Sequence, residues 1–230
     1  MHNLSGVFIK EETPVIYDYH KFWCFCVIYP NKTRYYYIDD ETEYQKWLSM
    51  IRLATGYKNL KDIYDIKEKL GRGKFGIVRL GINKLNNRKC AVKIMSKRYM
   101  NQSDRSLVKT EIEILKICQH PNIIRLYDIF ENEECIYIIM EYCAGGDLFS
   151  YIEKRGFKLP ELRTAEVIHK LCMAVYYLHS YGIAHRDLKP ENILMTDESD
   201  QADIRLVDFG LSKIIGPDEV CKEPYGTLVN

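Results

Sequence analysis

No run of apolar residues in this 230-residue chain reaches the 18 or so that a membrane-spanning helix needs. The first residues, Met1-His2-Asn3-Leu4-Ser5, lack the charged-then-apolar order of a secretory signal. Charge of one sign is missing too: 33 Lys and Arg stand against 32 Asp and Glu, a net charge of +1. That balance argues against a strongly basic nucleic-acid binder, and no nucleic-acid partner is expected. The eight cysteines, at 24, 26, 90, 118, 135, 143, 172 and 221, form no Cys-x-x-Cys pair and have mostly apolar neighbours. They read as buried thiols of a reducing cytosol rather than a disulfide set or a zinc site. The expected location is the cytoplasm. No calcium loop of the Asp-x-Asp/Asn-x-Asp/Asn-Gly form occurs. Asp197, Asp200 and Asp203 have another spacing and no glycine, and read as a solvated turn. Repeats and low-complexity tracts are absent.

What is there suits one medium domain or two small ones, with 47% apolar and 28% charged residues. Residues 1–59 are rich in tyrosine and strand-like. Phe22 to Ile28 reads as a strand, Pro30-Asn31-Lys32-Thr33 as a turn, and Arg34 to Ile38 as a second strand. Asp39, Asp40 and Thr42 offer helix N-caps. Tyr44, Trp47, Leu48 and Ile51 then follow at i, i+3, i+4 and i+7, one apolar helix face. The join at 56–61 is short. Beyond it come strands at Ile66–Leu70, Cys90–Ile94, Ile124–Leu126 and Ile136–Met140. A helix over Ser106–Cys118 carries Val108, Ile112 and Leu115 on its apolar side, with Ile114 beside them. Two further helices are expected at Leu148–Lys154 and Arg163–His179.

Three strings carry chemistry. Gly71-x-Gly73-x-x-Gly76-x-Val78 is a weak signal by itself, since dinucleotide-binding folds share the spacing. Here a strand and a lysine follow it, not a helix. Such glycines let backbone N–H groups lie close over phosphates. The second string is His185-Arg186-Asp187-Leu188-Lys189-Pro190-Glu191-Asn192, and the third, sixteen residues on, is Asp208-Phe209-Gly210.

Together these strings, over residues 64–227, resemble the protein kinases. The resemblance implies an α+β, two-lobed fold over 64–230, a strand-rich lobe with one helix and then a helical lobe. It implies an ATP-dependent serine/threonine kinase that moves the γ-phosphate of ATP onto Ser/Thr hydroxyls of protein substrates. Lys189-Pro190-Glu191-Asn192 is similar to the serine/threonine type. Asp187 would orient the substrate hydroxyl and accept its proton, and Lys189 would neutralise the transferring group. Lys93 would hold the α- and β-phosphates, fixed by Glu111, which the Glu-x-x-Ile-Leu pattern selects over a solvent-facing Glu113. Asn192 and Asp208 would hold Mg2+ through hard oxygens. The nucleotide would meet Gly71, Gly73, Phe75, Gly76, Val78, Ala91, Lys93 and Leu194, with Met140 narrowing the pocket. Backbone groups of Glu141 and Cys143 would read adenine, and Asp147 the ribose or a basic substrate residue. Cys143 is either a reactive thiol at the pocket mouth or a packing residue. His185 and Phe209 would stack with Leu115 and Leu126.

The position that usually carries an activating phosphate holds Glu223, either a substitute partner for Arg186 or a solvated side chain. Tyr225 is the one phosphorylatable residue between Ser212 and Thr227, and Thr227 resembles the residue that favours Ser/Thr substrates. The chain is similar to the calcium/calmodulin-regulated group, in particular to calcium-dependent protein kinases that carry a pleckstrin-homology (PH) domain, and this implies calcium-linked signalling. Residues 1–59 resemble the C-terminal half of a PH domain, which would add a phosphoinositide contact at a membrane periphery. The alternative is an extension that packs on the kinase lobe. No Ala-Pro-Glu segment precedes Asn230, so the chain alone is expected to fold poorly or be inactive, with the apolar faces of Leu171, Val175, Leu178 and Leu206 short of partners. A non-catalytic ATP-binding or scaffold protein made from a truncated kinase is the competing function.

Overall fold

A computed structural model describes residues 8–29, 32–55, 60–73 and 76–215. Phe75, Cys221, Glu223, Tyr225 and Thr227 therefore lie outside the described residues. The chain divides into two compact units, Met1–Tyr64 with Phe130–Glu133, and the remainder.

The first unit is an antiparallel meander, β1 (Phe8–Tyr17), β2 (His20–Tyr29) and β3 (Lys32–Ile38), followed by helix α1 (Glu41–Thr55). The sequence pattern finds β2, β3 and α1 but not β1. Its Lys10-Glu11-Glu12 run and Pro14 hide the alternation. Proline lacks the N–H a ladder needs, and the β1–β2 register shifts between Glu12 and Val15 to accommodate it. Asp18 and Tyr19 (φ 47° and 64°) turn β1 into β2 as a two-residue hairpin. The Asp40 carboxylate accepts the Glu43 N–H at 2.7 Å and caps α1. The core gathers Ile9, Phe25 and Val27 from the sheet with Tyr44 and Leu48 from α1. Trp47 is not on that face: it is 50% exposed, because the buried line runs Tyr44, Leu48, Ile51 and Trp47 sits about 100° from Leu48.

A four-residue helix, α2 (Leu60–Ile63), leads to a five-stranded sheet built from β4 (Tyr64–Gly73), β5 (Gly76–Asn83), β6 (Lys89–Ser96), β7 (Leu126–Glu131) and β8 (Cys135–Glu141). Strand order is β4-β5-β6-β8-β7. Gly76 is required by packing: a Cβ there would fall 1.8 Å from the Ile94 carbonyl oxygen. Helix α3 (Gln102–Ile117) starts earlier than the apolar period suggests, because Asn101 and Asp104 form a reciprocal capping box. Its buried residues are Val108, Glu111, Ile114 and Leu115. The expected strand at Ile124–Leu126 moves on to β7. Instead Ile123 bridges Leu206, and backbone bonds Leu206 N–H to Asn122 O (2.8 Å) and Ile124 N–H to Leu206 O (3.0 Å) tie this connection to the segment around Leu206.

Helices α4 (Leu148–Glu153) and α5 (Glu161–Ser180) follow, then β9 (Ile183–Ala184), β10 (Ile193–Met195), β11 (Ile204–Leu206) and β12 (Lys213–Ile214), which pair as β9–β12 and β10–β11. Gly182, at φ 66°, ends α5 by donating to the His179 carbonyl (2.9 Å). One apolar core runs from Met95 and Ile138 through Ile114 and Leu115 to Leu178, Leu206 and Phe209. Contrary to expectation, Leu178 and Leu206 are completely buried, and Leu171 and Val175 half-buried. The large exposed hydrophobic residues of α5 are Leu162, Ile168, Met173 and Tyr176.

Candidate active site

Strand alternation puts Ala91 and Lys93 on one face of β6, and antiparallel register sets Val78 opposite Lys93 and Met140 opposite Ala91. The Lys93 ammonium donates to Glu111 of α3 at 2.6 Å. The two side chains are 14% and 3% exposed. Burial pulls the lysine pKa down, but the carboxylates of Glu111 and Asp208 more than reverse this and leave it above the ordinary lysine value. Glu113 faces away, half exposed, near Lys109 (3.9 Å). The second Glu111 oxygen is buried without a hydrogen-bond partner among the described residues, with the Gly210 Cβ position 3.9 Å away.

Between β9 and β10 the chain brings three polar side chains together. Asp187 is 8% exposed, and its Oδ2 accepts from Asn192 Nδ2 (2.8 Å) and Lys189 Nζ (3.1 Å). Asn192 Nδ2 also donates to the Asp187 carbonyl (2.8 Å). Two donors on one oxygen fix the carboxylate plane. The loop is held from below by His185, whose Nδ1 accepts the Asp187 N–H (3.3 Å). That leaves Nε2 to donate to the Val207 carbonyl (3.0 Å), the neutral tautomer. Burial lowers the His185 pKa, and the Val207 bond and nearby Asp208 and Asp187 only partly oppose it. The His185 and Phe209 rings meet edge to face at 5.2 Å, and Phe209 and Leu115 belong to the core against which Leu126 packs. Arg186 sits at φ 66° with its Nε donating to the Leu211 carbonyl (2.6 Å), and Asp208 at φ 62°. Left-handed backbone at a non-glycine costs about 1–2 kcal/mol, and such strain gathers at functional loops.

The Val207 N–H donates to the Asn192 carbonyl (2.9 Å), which sets Asp208, the next residue, beside Asn192. Asp208 is exposed. Because Asn192 spends its nitrogen on Asp187, its amide oxygen is left as an acceptor, and Asp208 supplies a carboxylate from the adjoining stretch of backbone. Hard oxygens of this kind suit a divalent cation that keeps several waters and phosphate oxygens as ligands. No group of three or more His, Cys, Asp or Glu side chains that could hold a metal ion occurs among the described residues.

The segment after β8 runs back along β10: Gly145 N–H to Met195 O (3.0 Å), Met195 N–H to Gly146 O (2.8 Å), and an Asp147–Leu194 bridge. Asp147 and Leu194 are thereby neighbours. Both Asp147 oxygens are taken by Ser150, from its N–H (2.8 Å) and its hydroxyl (2.9 Å), so its first task is to cap α4. Gly71 and Gly73 face open space. Among the described residues no backbone carbonyl takes the Cys143 N–H. The Cys143 thiol is pushed up to about 12, by burial first and by Glu141 second, and the side chain packs against the apolar core, which favours the packing role.

A model of the protein kinase domain matches residues 64–229. The chain belongs to the protein kinase family. Among similar kinases, myosin light chain kinase A of Dictyostelium discoideum is 42% identical over 168 residues, 73% of this chain and 57% of that protein. A probable myosin light chain kinase of the same organism is 40% identical over 169 residues, covering 74% and 48%. Calcium-dependent protein kinase 5 of Plasmodium berghei (strain Anka) is 40% identical over 170 residues, covering 74% and 30%. The chain thus spans about half the length of the curated relatives it matches, or less.

Within this kinase domain the sequence pattern missed one network. Glu141 accepts from Arg205 (2.9 Å), Arg205 reaches Asp203 (3.2 Å), and Asp203 takes Lys170 (2.9 Å) and Asn122 (3.0 Å). Asp203 is therefore not part of a solvated turn. The signal was the alternation Asp203-Ile-Arg205-Leu across β11, with both charges on one side.

Proposed function

We propose that the protein is an ATP-dependent protein serine/threonine kinase. The observation that carries this reading is the convergence of Lys189 and Asn192 on one oxygen of the buried Asp187. In this role Asp187 orients the substrate hydroxyl. As that oxygen bonds to the γ-phosphorus, the bond to the β,γ-bridging oxygen breaks, ADP leaves, and the hydroxyl proton passes to Asp187. Lys189 neutralises charge on the transferring group. Lys93, steadied by Glu111, holds the α- and β-phosphates. The face formed by Val78, Ala91 and Met140 takes adenine, and Leu194 would add an apolar contact. Asn192 and Asp208 would hold Mg2+, which when bound offsets phosphate charge.

The reading extends to calcium-linked signalling in the cytoplasm, supported by the calcium-dependent name of one relative. The first unit is proposed as PH-like, supported by its meander and closing helix, with phosphoinositide contact at the membrane periphery. The test is phosphoryl transfer by the native protein from radiolabelled ATP to matched Ser, Thr and Tyr peptides, with calcium or chelator. Transfer to Ser or Thr is expected. Transfer only to Tyr, or none with ATP still bound, would overturn it. Sedimentation with phosphoinositide liposomes tests the membrane contact.

A further inference from the structure

A cavity of about 580 Å³ opens at the end of α3, against the α3–β7 connection and the last residue of β8. Arg88, Lys116, Arg125 and Arg205 line it, with Glu141 as the sole acidic side chain among the described lining residues. Arg205 is committed to Glu141 and Asp203 (2.9 and 3.2 Å). Arg88, Lys116 and Arg125 are exposed, and no carboxylate of the described residues lies within ion-pair distance of them. The Arg88 guanidinium lies 4.4 Å over the Tyr127 ring, which orients it at the rim. Three uncompensated cations on one concave surface repel one another and focus a positive potential on its mouth. The volume suits several peptide residues. Tyr127 and the half-buried Leu126 add aromatic and apolar surface that a bare inorganic anion does not use.

We propose that this cavity docks an acidic peptide segment of a partner protein, its carboxylates meeting Arg88, Lys116 and Arg125 and an apolar side chain lying on Tyr127 and Leu126. The position bears on the nucleotide-binding segment. The Arg125 carbonyl accepts the Glu141 N–H (2.9 Å), and Arg205 holds the Glu141 carboxylate, so two wall residues fix the residue after Met140. The docking itself does not depend on phosphoryl transfer, and its test is run without nucleotide.

The probe is a fluorescein-labelled hexapeptide of alternating glutamate and leucine, titrated with the full chain and read by anisotropy. Saturable binding is expected, weakening with added salt. Arg88→Glu with Arg125→Glu should weaken it by about tenfold or more, since both charges reverse. Lys109→Glu, on the exposed side of α3, should leave it within about twofold. All three positions are on the surface, where substitution leaves the fold intact. Absence of saturable binding, an equal loss in Lys109→Glu, or displacement by millimolar inorganic phosphate would each overturn the proposal.

Discussion

The Lys93–Glu111 pair allows the sharpest stability test. At 2.6 Å and an effective dielectric of about 20, opposite unit charges attract by about 6 kcal/mol before desolvation is subtracted. With both side chains nearly buried, desolvation removes much of that gain. Removing only one partner is different, since it strands a buried charge at a cost of about 3–5 kcal/mol. Glu111→Gln keeps the shape and strands the Lys93 ammonium. For a domain of this size the loss lowers the melting midpoint by about 6–20 °C. Lys93→Met/Glu111→Gln removes both charges and should recover most of that loss, a coupling that a double-mutant cycle measures. The raised lysine pKa gives the pH sign. The pair's contribution is complete below the unfolded lysine value near 10.5 and fades only as pH climbs through the higher folded one. Calorimetry at pH 7 and pH 9 should therefore agree on the size of the effect. A Glu111→Gln midpoint within a degree of the parent, or a double variant as weak as the two single losses summed, would refute the reasoning.

Three other outcomes follow from single features. With its thiol pushed up to about 12, Cys143 stays protonated at pH 7, so iodoacetamide mapping should find exposed Cys172 labelled well before it. Burial lowers the pKa of His185, and of His120 likewise, so the folded state binds fewer protons than the unfolded. Stability is then complete above pH 6.5 and falls as pH drops through the window below it. Urea midpoints at pH 7.5 and 5.5 should separate, and His185→Gln should narrow the gap. Gly76→Ala forces backbone apart at Ile94 and should cost about 1–3 kcal/mol in denaturant unfolding, whereas an unchanged midpoint would show that β6 yields freely.

The site was far more legible in the sequence than the fold around it. Asp187, Lys189, Asn192 and Asp208 sit within one short segment, where chemistry fixes residue type and spacing together. Lys93 and Glu111 stand eighteen residues apart, and it was the resemblance, through the Glu-x-x-Ile-Leu pattern, that paired them, while the helix period turned Glu113 away. What failed depended on tertiary context. Strand β1 carries charges and Pro14 in a ladder that tolerates them only through its register shift. Trp47 satisfied a helical spacing but lay off the face that Tyr44 and Leu48 define. Cys172 looked like one more buried thiol and is exposed on α5. The Glu141–Arg205–Asp203 chain joins β8 to β11 across sixty residues, a distance no local pattern reads.

The measurement that tests the central claim most directly is phosphoryl transfer by Asp187→Asn in the native full-length protein, beside its affinity for ATP. If Asp187 is the residue that orients and deprotonates the acceptor, transfer to a Ser/Thr peptide falls by about 10²–10⁴. Asn192 and Lys189 would still frame the site, so ATP affinity stays near that of the parent. A variant that transfers phosphate as fast as the parent would contradict the account.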